Sequence, residues 1–261
     1  MNNRIQKRWF GILALTLLLA MSHSLVTAAE VLIVADEFPA MELLAGQLKA
    51  QEKLECQIVA QTNMPAQLDG YQAVVVYVHG NLKDAPAKAI MDYTRNGGKL
   101  VALHHTISSG KRKTTDWLPF LGVELPQKEF AVGGYKWIEG VTLEIANLAP
   151  SHFITTNKIT FPQTVTYTRQ DVTGPEQSVT GFTLHETEVY LNHVWTEPHT
   201  VLLGFKYTDA KTGKVYMQDR AGWTKSAGKG YIVYLMAGHS ARDFKDACYG
   251  RMVLNAVIYR P

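Results

Sequence analysis

The feature that most constrains the fold is the alternation of two hydrophobic periodicities between residues 31 and 103. Continuous apolar runs, typical of strands buried on both faces, alternate with stretches in which apolar residues recur at helical spacing. The predicted strands cover residues 31–35, 57–60, 73–78 and 99–103. Met41, Leu44 and Leu48 predict a helix that ends near Glu52. This order of elements predicts an α/β fold with a doubly wound, mostly parallel sheet and helices on both faces.

Turn residues mark the remaining elements and one change of pattern. Asp84 is predicted to cap a helix that ends at the Asn-Gly-Gly sequence of residues 96–98. The α/β pattern returns with a strand at residues 231–236 and a helix at residues 244–258. Between about residues 122 and 186, short runs rich in threonine and valine are separated by proline and glycine. This segment is predicted to be an antiparallel β-rich insertion in a single α/β domain.

The N-terminus has the three parts of a secretory signal peptide. Three basic residues among the first eight precede an uncharged, mostly apolar run over residues 9–21, and a cut is predicted after Ala28 or Ala29. The alternative is an uncleaved membrane anchor, but the run is shorter than the ~20 residues of a spanning helix. We therefore expect residues 1–28 to be a signal peptide. Residues 29–261 are expected to form a periplasmic or secreted domain without stable membrane insertion.

The predicted signal also accounts for the formal net charge of +3. Arg4, Lys7 and Arg8 leave on cleavage and no acidic residue precedes Glu30, so the mature chain is formally neutral. A neutral chain gives no electrostatic reason to expect nucleic acid as a partner. The one basic run, at residues 111–113, follows a glycine and is predicted to be a solvated loop.

The cysteines and the glycine motifs restrict the chemistry. Cys56 lies in a strand-like run and Cys248 in a helix-like one, and the sequence leaves a disulfide and two free thiols equally open. Neither lies in a Cys-x-x-Cys motif or a nucleophile turn. The chain has no Gly-x-Ser-x-Gly elbow, no Gly-x-Gly-x-x-Gly motif and no phosphate-binding loop. These absences argue against a serine nucleophile and against a nucleotide cofactor.

Polar residues collect where the predicted parallel strands end. They are Asp36 and Glu37 after the first strand, His79 after the third, His104 and His105 after the fourth, and His239 after the late strand. Because the carboxyl ends of parallel strands meet at one edge of a sheet, where sites form in open α/β proteins, we expect a functional pocket there. If the fourth strand stays extended, His104 and His105 point to opposite faces, and His105 is expected to enter the pocket.

A second group of candidate residues lies at residues 185–190, with His193 close behind. It is not a zincin motif, because His-Glu-x-x-His would require histidine where Val189 stands. Histidine and carboxylate side chains suit zinc or a similar divalent ion. The candidate ligands in a common pocket are His79, His105, His239 and Glu188. The same side chains can instead act as general acid and base, and the sequence leaves both roles open.

Several segments of the chain occur in a characteristic order. They are residues 103–105 (Leu-His-His), 152–155 (His-Phe-Ile-Thr), Glu188 with Tyr190, Trp223, residues 228–230 (Gly-Lys-Gly), the strand 231–236, residues 238–239 (Gly-His) and 255–257 (Asn-Ala-Val). This set resembles the trehalose-utilisation (ThuA-like) family of the class I glutamine-amidotransferase-like fold. The resemblance covers most of residues 30–261, apart from residues 122–150. It implies a flavodoxin-like sheet that lacks the amidotransferase cysteine.

The resemblance also implies a role in carbohydrate breakdown, notably of trehalose and oxidised (3-keto) sugars. We expect an extracytoplasmic hydrolase or lyase that acts on a glycoside or 3-keto-sugar, with a small-molecule carbohydrate as its partner. The predicted catalytic residues are His105, Glu188 and His239, which are also the candidate ligands of a divalent metal such as zinc. The predicted substrate-binding residues are His79, His104, Tyr190 and Trp223.

A non-catalytic carbohydrate-binding or scaffold protein on the same fold is the alternative. The convergent histidines favour an enzyme, because binding alone seldom requires several titratable groups in one pocket. A true glutamine amidotransferase is disfavoured by the missing cysteine. Four tryptophans can provide stacking faces for a sugar, although such residues more often belong to a core or rim. They are Trp117, Trp137, Trp195 and Trp223.

Overall fold

A ten-stranded sheet forms the centre of the structure, a computed structural model that describes residues 30–170 and 174–261. The strands within these residues are β1 Glu30–Ala35, β2 Glu55–Val59, β3 Tyr71–Tyr77, β4 Lys99–Leu103, β5 Val123–Glu124, β6 Lys136–Asn147, β7 Gln163–Tyr167, β8 Gln177–Leu191, β9 Val194–Trp195, β10 Thr200–Thr208, β11 Val215–Ala227 and β12 Gly230–Leu235. The α-helices are α1 Phe38–Glu52, α2 Asp84–Arg95, α3 Trp117–Leu121, α4 Phe153–Thr156, α5 Ala241–Lys245 and α6 Ala247–Ile258. Short 3-10 helices cover Gln61–Asn63, His104–Ile107, Ser109–Lys113 and Phe130–Val132.

Half of the sheet is parallel and has the strand order β2-β1-β3-β4-β12. Helices α1, α5 and α6 pack together, and α2 packs with α3, so that two groups of helices cover the sheet. Every side chain of residues 31–35 is fully buried, as expected of a strand covered on both faces. The predicted doubly wound sheet of flavodoxin-like class is confirmed. Strand β4 has its predicted bounds, and the other predicted parallel strands are shifted by no more than two residues.

The other half of the sheet is antiparallel and continues from β12 in the order β11-β10-β6-β8-β7. The predicted antiparallel insertion is confirmed, and its strands extend the parallel sheet because β11 pairs directly with β12. Strands β10 and β11 lie beyond residue 186, where the predicted insertion ends. Strands β5 and β9 form a separate two-stranded sheet.

Irregularities in the pairing of β6 and β8 bend these two long strands. Gly140 on β6 and Glu186 on β8 lie at the register shifts, and both have positive φ, +67° and +52°. An extra residue in one strand bends it and increases its twist. Beyond these bends, the end of β8 lies beside the parallel half, where Glu188 contacts His104.

Two helix starts differ from the sequence prediction. The C-terminal helix predicted over residues 244–258 is two helices, because the backbone is extended at Asp246. The carboxylate of Asp246 accepts hydrogen bonds from the N–H groups of Cys248 and Tyr249, both at 2.9 Å, and therefore caps α6. Asp84 is the first residue of α2 rather than its cap, and its carboxylate instead accepts from the N–H of Thr115 at 2.7 Å.

Both cysteines are free in the structure. Cys56 lies partly exposed on β2, and Cys248 is buried on α6. Burial raises the pKa of each thiol to about 11, and the neighbouring acids Glu55 and Asp246 add to the shifts. Both thiols are therefore protonated at neutral pH, which makes them poor nucleophiles.

The predicted signal peptide, residues 1–28, lies outside the described residues, and its cleavage stays a prediction. Within the ranges 30–170 and 174–261, no helix combines the length and the apolar character needed to cross a membrane.

His193 is a buried histidine that follows β8. It is 1% exposed, and neither of its ring nitrogens finds a hydrogen-bond partner in the part of the chain that the structure describes. Its ring contacts the ring of Tyr234 edge-on, with centroids 6.5 Å apart. Burial lowers the pKa of His193 to about 3, and the Arg220 cation acts in the same direction. The imidazole is therefore neutral in the folded protein at neutral pH.

The burial of His193 predicts a loss of stability in mild acid. The unfolded chain binds a proton at this residue near pH 6.5, whereas the folded chain binds it only near pH 3, so the stability is complete above pH 6.5 and falls as the pH falls. Between pH 7 and pH 5 we expect His193 to reduce the free energy of unfolding by roughly 2 kcal/mol. Urea unfolding of the wild type and of His193→Phe at both pH values measures this difference.

The exposed His185 provides a control for this experiment, because His185→Phe is expected to keep the pH dependence of the wild type. An equal pH dependence in wild type and His193→Phe would show that the buried ring is not responsible.

Candidate functional site

The carboxyl ends of the parallel strands supply the polar side chains predicted there. Asp36 and Glu37 follow β1, His79 follows β3, His104 and His105 follow β4, and His239 follows β12. Strand β8 of the antiparallel half adds Glu188 and Tyr190 to the same edge of the sheet. The structure thus brings these predicted residues together where sites form in open α/β sheets.

Glu188 is the centre of a buried cluster. Its Oε2 lies 2.8 Å from Nε2 of His104 and 3.2 Å from Nδ1 of His239. The hydroxyl of Tyr190 donates to the same oxygen at 3.1 Å and lies 2.9 Å from Nδ1 of His105. The nitrogen and oxygen atoms that His104, His105, Glu188 and His239 can offer a metal ion all lie within 4.8 Å of one another.

The backbone of His104 brings both histidines of the pair to this cluster. His104 has φ of +40° at the point where β4 passes into a 3-10 helix. The extended geometry assumed for the pair is therefore wrong, and the two rings lie 4.2 Å apart between centroids. His105 lines the cavity described below, as predicted, whereas His104 lies beneath it and is fully buried. Trp117 holds this turn, because its Nε1 donates to the carbonyl oxygen of Thr106 at 2.8 Å.

The turn that carries His79 is held by two acids from the end of β1. The carboxylate of Asp36 accepts hydrogen bonds from the N–H groups of His79 and Gly80, at 2.6 and 2.8 Å. Glu37 Oε1 lies 2.8 Å from Nδ1 of His79. The ring of His79 stacks on that of His105, with centroids 4.1 Å apart and planes 7° from parallel. Both acids therefore fix the orientation of His79.

The prediction of a solvated loop at residues 111–113 is wrong for Lys111. Its side chain is fully buried, and its Nζ donates to the carbonyl oxygens of His79 and Gly80 at 3.2 and 2.7 Å. Burial lowers the pKa of Lys111 to about 8, and the Asp36 carboxylate opposes this shift. Lys111 holds the carbonyl side of the turn whose N–H side is bound by Asp36.

Asp243 holds the turn that carries His239, as Asp36 holds the turn that carries His79. This role was not predicted from the sequence. Oδ2 of Asp243 accepts hydrogen bonds from the N–H groups of Gly238 and His239, both at 2.9 Å. The hydroxyl of Thr187, the residue before Glu188, donates to the same oxygen at 2.6 Å. Asp243 therefore links the His239 turn to strand β8. An acid shortly after the Gly-His pair was the available sequence signal.

A cavity of about 300 Å³ lies beside the cluster. His79, His105, Glu188 and Tyr190 form part of its wall. Strand β6 adds Trp137 and Glu139, which pair across the strands with Tyr190 and Glu188. A larger cavity of about 700 Å³ lies on the antiparallel half, but no histidine lines it. We therefore place the candidate site at the smaller cavity.

The contacts within the cluster determine its charge state. Burial alone would raise the pKa of Glu188, but contacts with His104 and His239 hold that pKa well below its usual range. Glu188 in turn raises the pKa of His239, against the effect of burial. Burial lowers the pKa of His105 to about 2, with smaller contributions from its histidine neighbours. Burial raises the pKa of Tyr190 well above its ordinary value. At neutral pH, Glu188 is ionised, His105 is neutral and Tyr190 is a hydrogen-bond donor.

Trp223 was predicted to bind substrate and is instead a core residue. It is fully buried, its ring packs on that of Tyr234 with centroids 5.0 Å apart, and it does not line the cavity. Trp137 lines the cavity and is 48% exposed. Of the histidines near the second predicted cluster, His185 is exposed and His193 is buried away from the cavity. The roles predicted for the other site residues stay predictions.

Comparisons with known proteins agree with this fold. The parallel half-sheet and its helices are of the flavodoxin-like α/β class, and neither cysteine lines the cavity. The chain belongs to the ThuA family, described as trehalose utilisation, whose model matches residues 25–260. A search of curated proteins found no match.

Solved structures show the same fold at low sequence identity. A putative ThuA-like protein from Bacteroides uniformis has a TM-score of 0.57 and 17% identity, over 88% of this chain and 91% of that one. Two cytoplasmic proteins from Salmonella typhimurium are also similar. One has a TM-score of 0.51 and 11% identity over 87% of this chain and 97% of its own. The other has a TM-score of 0.50 and 13% identity over 86% and 92%.

Several segments that carry the family resemblance have structural roles. Nδ1 of His152 accepts a hydrogen bond from the N–H of Ile154 at 3.2 Å and caps α4. The side-chain amide of Asn255 donates to the carbonyl oxygens of Ile154 and Asn157, at 3.1 and 2.8 Å. These contacts attach α4 to α6, away from the cavity.

Proposed function

We propose that this chain is an extracytoplasmic enzyme of carbohydrate breakdown, a hydrolase or lyase that acts on a glycoside or 3-keto-sugar. The observation that carries the proposal is the buried His/Glu cluster centred on Glu188 at the wall of a cavity. Several titratable groups that converge in one pocket are typical of catalysis. Membership of a trehalose-utilisation family supports a carbohydrate substrate. The location outside the cytoplasm rests on the signal-like residues 1–28.

The wall of the cavity suits a sugar ring. Trp137 exposes an indole face beside the cluster, and such a face packs against the apolar side of a pyranose. Glu139 and Asn81 also line the cavity and can bind hydroxyl groups. A volume of about 300 Å³ is at the lower end for small-molecule sites, which favours a small saccharide unit.

A 3-keto-glycoside would use the two sides of the cavity differently. A base removes the proton from the carbon next to the carbonyl, and the electron pair of that C–H bond forms an enolate whose oxygen needs a hydrogen-bond donor. When the enolate collapses, a C=C bond forms beside the carbonyl, the glycosidic C–O bond breaks, and its oxygen leaves with the bonding electrons and takes up the proton that the base had removed. His79, held at Nδ1 by Glu37, is placed to act as the base. The hydroxyl of Tyr190 donates to Glu188 in the free protein and would stabilise the enolate oxygen by turning its single proton towards the cavity.

A panel of glycosides, including trehalose, and of their 3-keto derivatives tests the proposal. We expect the purified protein to release a free sugar from at least one member. Trp137→Ala is expected to raise KM about fivefold with little change in kcat, because aromatic packing contributes about 1 kcal/mol. His185→Ala, on an exposed part of β8, is the control and should match the wild type.

Binding across the panel without turnover would instead support the non-catalytic carbohydrate-binding protein. N-terminal sequencing of the protein from its native host tests the location, with Ala29 or Glu30 expected as the first residue. An intact N-terminus in the cytoplasm would contradict it.

A further inference from the structure

Three ligand atoms of the buried cluster face one another at the spacing of a metal site. Nε2 of His104 lies 2.8 Å from Oε2 of Glu188 and 3.3 Å from Nδ1 of His239, and the last two atoms are 3.2 Å apart. Nitrogen and oxygen ligands lie about 2.0–2.2 Å from a tetrahedral zinc ion and thus roughly 3.3 Å from one another. These three atoms can therefore bind one ion with only small shifts.

The hydrogen bond on the other side of the His104 ring supports a cation at this position. Nδ1 of His104 contacts the carbonyl oxygen of Met236, which only accepts hydrogen bonds, so Nδ1 carries a proton. With Nδ1 as the only protonated nitrogen, the lone pair of Nε2 faces the carboxylate of Glu188, which is also an acceptor. A cation between the two atoms, either a metal ion or a second ring proton, removes this repulsion. A carbonyl bound to the remote ring nitrogen is also the usual partner of a metal-binding histidine.

The hydroxyl of Tyr190, 3.1 Å from Oε2 of Glu188 and 3.4 Å from Nε2 of His104, borders the fourth position of such an ion. Nδ1 of His105 is 3.9 Å from Glu188 Oε2 and is already 2.9 Å from the hydroxyl of Tyr190, so it does not complete the set. Two histidines and one glutamate are a ligand set of catalytic zinc sites, which keep a fourth position for water or substrate. Glu188 lines the cavity, so this position can be reached from it.

A second group of possible ligands, Glu37, His79 and His105, is less suitable. The rings of His79 and His105 are stacked within 7° of parallel, so the lone pairs of their nitrogens lie in two parallel planes and do not converge on one point. Nδ1 of His79 is also occupied by Glu37 at 2.8 Å. The geometry therefore favours the cluster around Glu188.

We propose that His104, Glu188 and His239 bind one divalent transition-metal ion, zinc or an ion of similar ligand preference, with an open position towards the cavity. His104 takes the place that the sequence prediction gave to His105, because φ of +40° turns its ring into the cluster. The proposal adds a cofactor to the proposed function. It rests on ligand geometry and not on turnover.

Metal loading of the full chain tests the site. The protein is stripped with EDTA, dialysed against Zn²⁺ and freed of excess ion, and its zinc is measured by plasma mass spectrometry. We expect one ion per chain in the wild type and less than a tenth of an ion in His104→Ala, Glu188→Gln and His239→Ala. His185→Ala, also on β8 but exposed, should keep one ion. Loading with Co²⁺ should give the visible absorption of tetrahedral cobalt in the wild type and in His185→Ala, and not in the three ligand variants.

A wild type that retains less than a tenth of an ion, or an ion that survives all three substitutions, would overturn the site. Because a ligand variant can fail to fold, thermal unfolding of the stripped wild type with and without Zn²⁺ gives a second measure. A bound ion raises Tm, and an unchanged Tm contradicts binding. A stoichiometric ion in a protein that converts no glycoside would contradict only the proposed function. A metal-free protein that converts one would contradict only this site.

Discussion

Glu188→Gln is expected to lower kcat/KM on the substrate found in the panel about a thousandfold, within the range of 10²–10⁴ typical for the loss of a positioned catalytic group. Oε2 of Glu188 accepts from Tyr190 and contacts His104 and His239, so one carboxylate orients three side chains. Glutamine keeps the shape but removes the negative charge. Its amide nitrogen would face ring nitrogens or the Tyr190 hydroxyl. We expect the protein to stay folded, because the substitution preserves volume.

The measurement is steady-state turnover, with circular dichroism and thermal unfolding to verify the fold. Glu186→Gln is the matched control, because Glu186 lies two residues earlier on β8 with an exposed side chain that pairs with Arg242. The control should retain the kcat/KM of the wild type. Turnover of Glu188→Gln within tenfold of the wild type, in a folded protein, would remove Glu188 from the catalytic machinery.

The parallel half of the fold could be predicted because a strand that is buried on both faces appears in the sequence as a continuous apolar run. Residues 31–35 and 100–103 are apolar throughout, and no polar side chain interrupts them. The division of the C-terminal helix could not be predicted from periodicity, because residues 241–258 remain apolar on one side across the break. A single capping carboxylate, that of Asp246, decides the break.

Part of the site could also be predicted, because the predicted parallel sheet fixes where its strands end. Strand ends identified His79, His105 and His239, since the topology of a parallel sheet places them at one edge. The role of His104 depended on a positive φ that no local pattern announces. Strands β6 and β8 are far apart in sequence and pair with bulges, so the sequence offered Glu188 only as one of several polar residues at positions 185–190 and through the family resemblance.

The burial of Lys111 was not predicted, because a sequence pattern indicates only the environment in which a residue type is usually found. Lys111 lies in a run of three basic residues, which is usually solvated, yet its ammonium group is buried under the His79 turn. The prediction for Trp223 was wrong in the opposite way. Trp223 matches a family motif and was expected to bind substrate, but it contributes only to the core. Which of these residues faces a cavity is decided by tertiary packing, and the sequence carries no direct signal for that.

The Gly-Lys-Gly sequence at residues 228–230 is expected to be essential for stability and not for chemistry. The turn between β11 and β12 lies against the end of α2, where the N–H of Lys229 donates to the carbonyl of Arg95 at 2.9 Å. A Cβ atom on Gly230 would lie 1.9 Å from the carbonyl oxygen of Thr94. Because that oxygen belongs to the helix backbone, no side-chain rotation can relieve the overlap. Gly230→Ala is expected to reduce the free energy of unfolding by about 3 kcal/mol.

Gly46→Ala is the matched control for this substitution. Gly46 is exposed in the middle of α1, and a Cβ atom there would have no neighbour within 4 Å. Alanine is the better helix former by about 1 kcal/mol, so this variant is expected to be more stable than the wild type. Thermal unfolding measures both effects. In a domain of this size, Gly230→Ala should lower Tm by about 10 °C and Gly46→Ala should raise it by about 3 °C. A Gly230→Ala protein with the Tm of the wild type would show that the turn can move away from α2 and that the motif is retained for another reason.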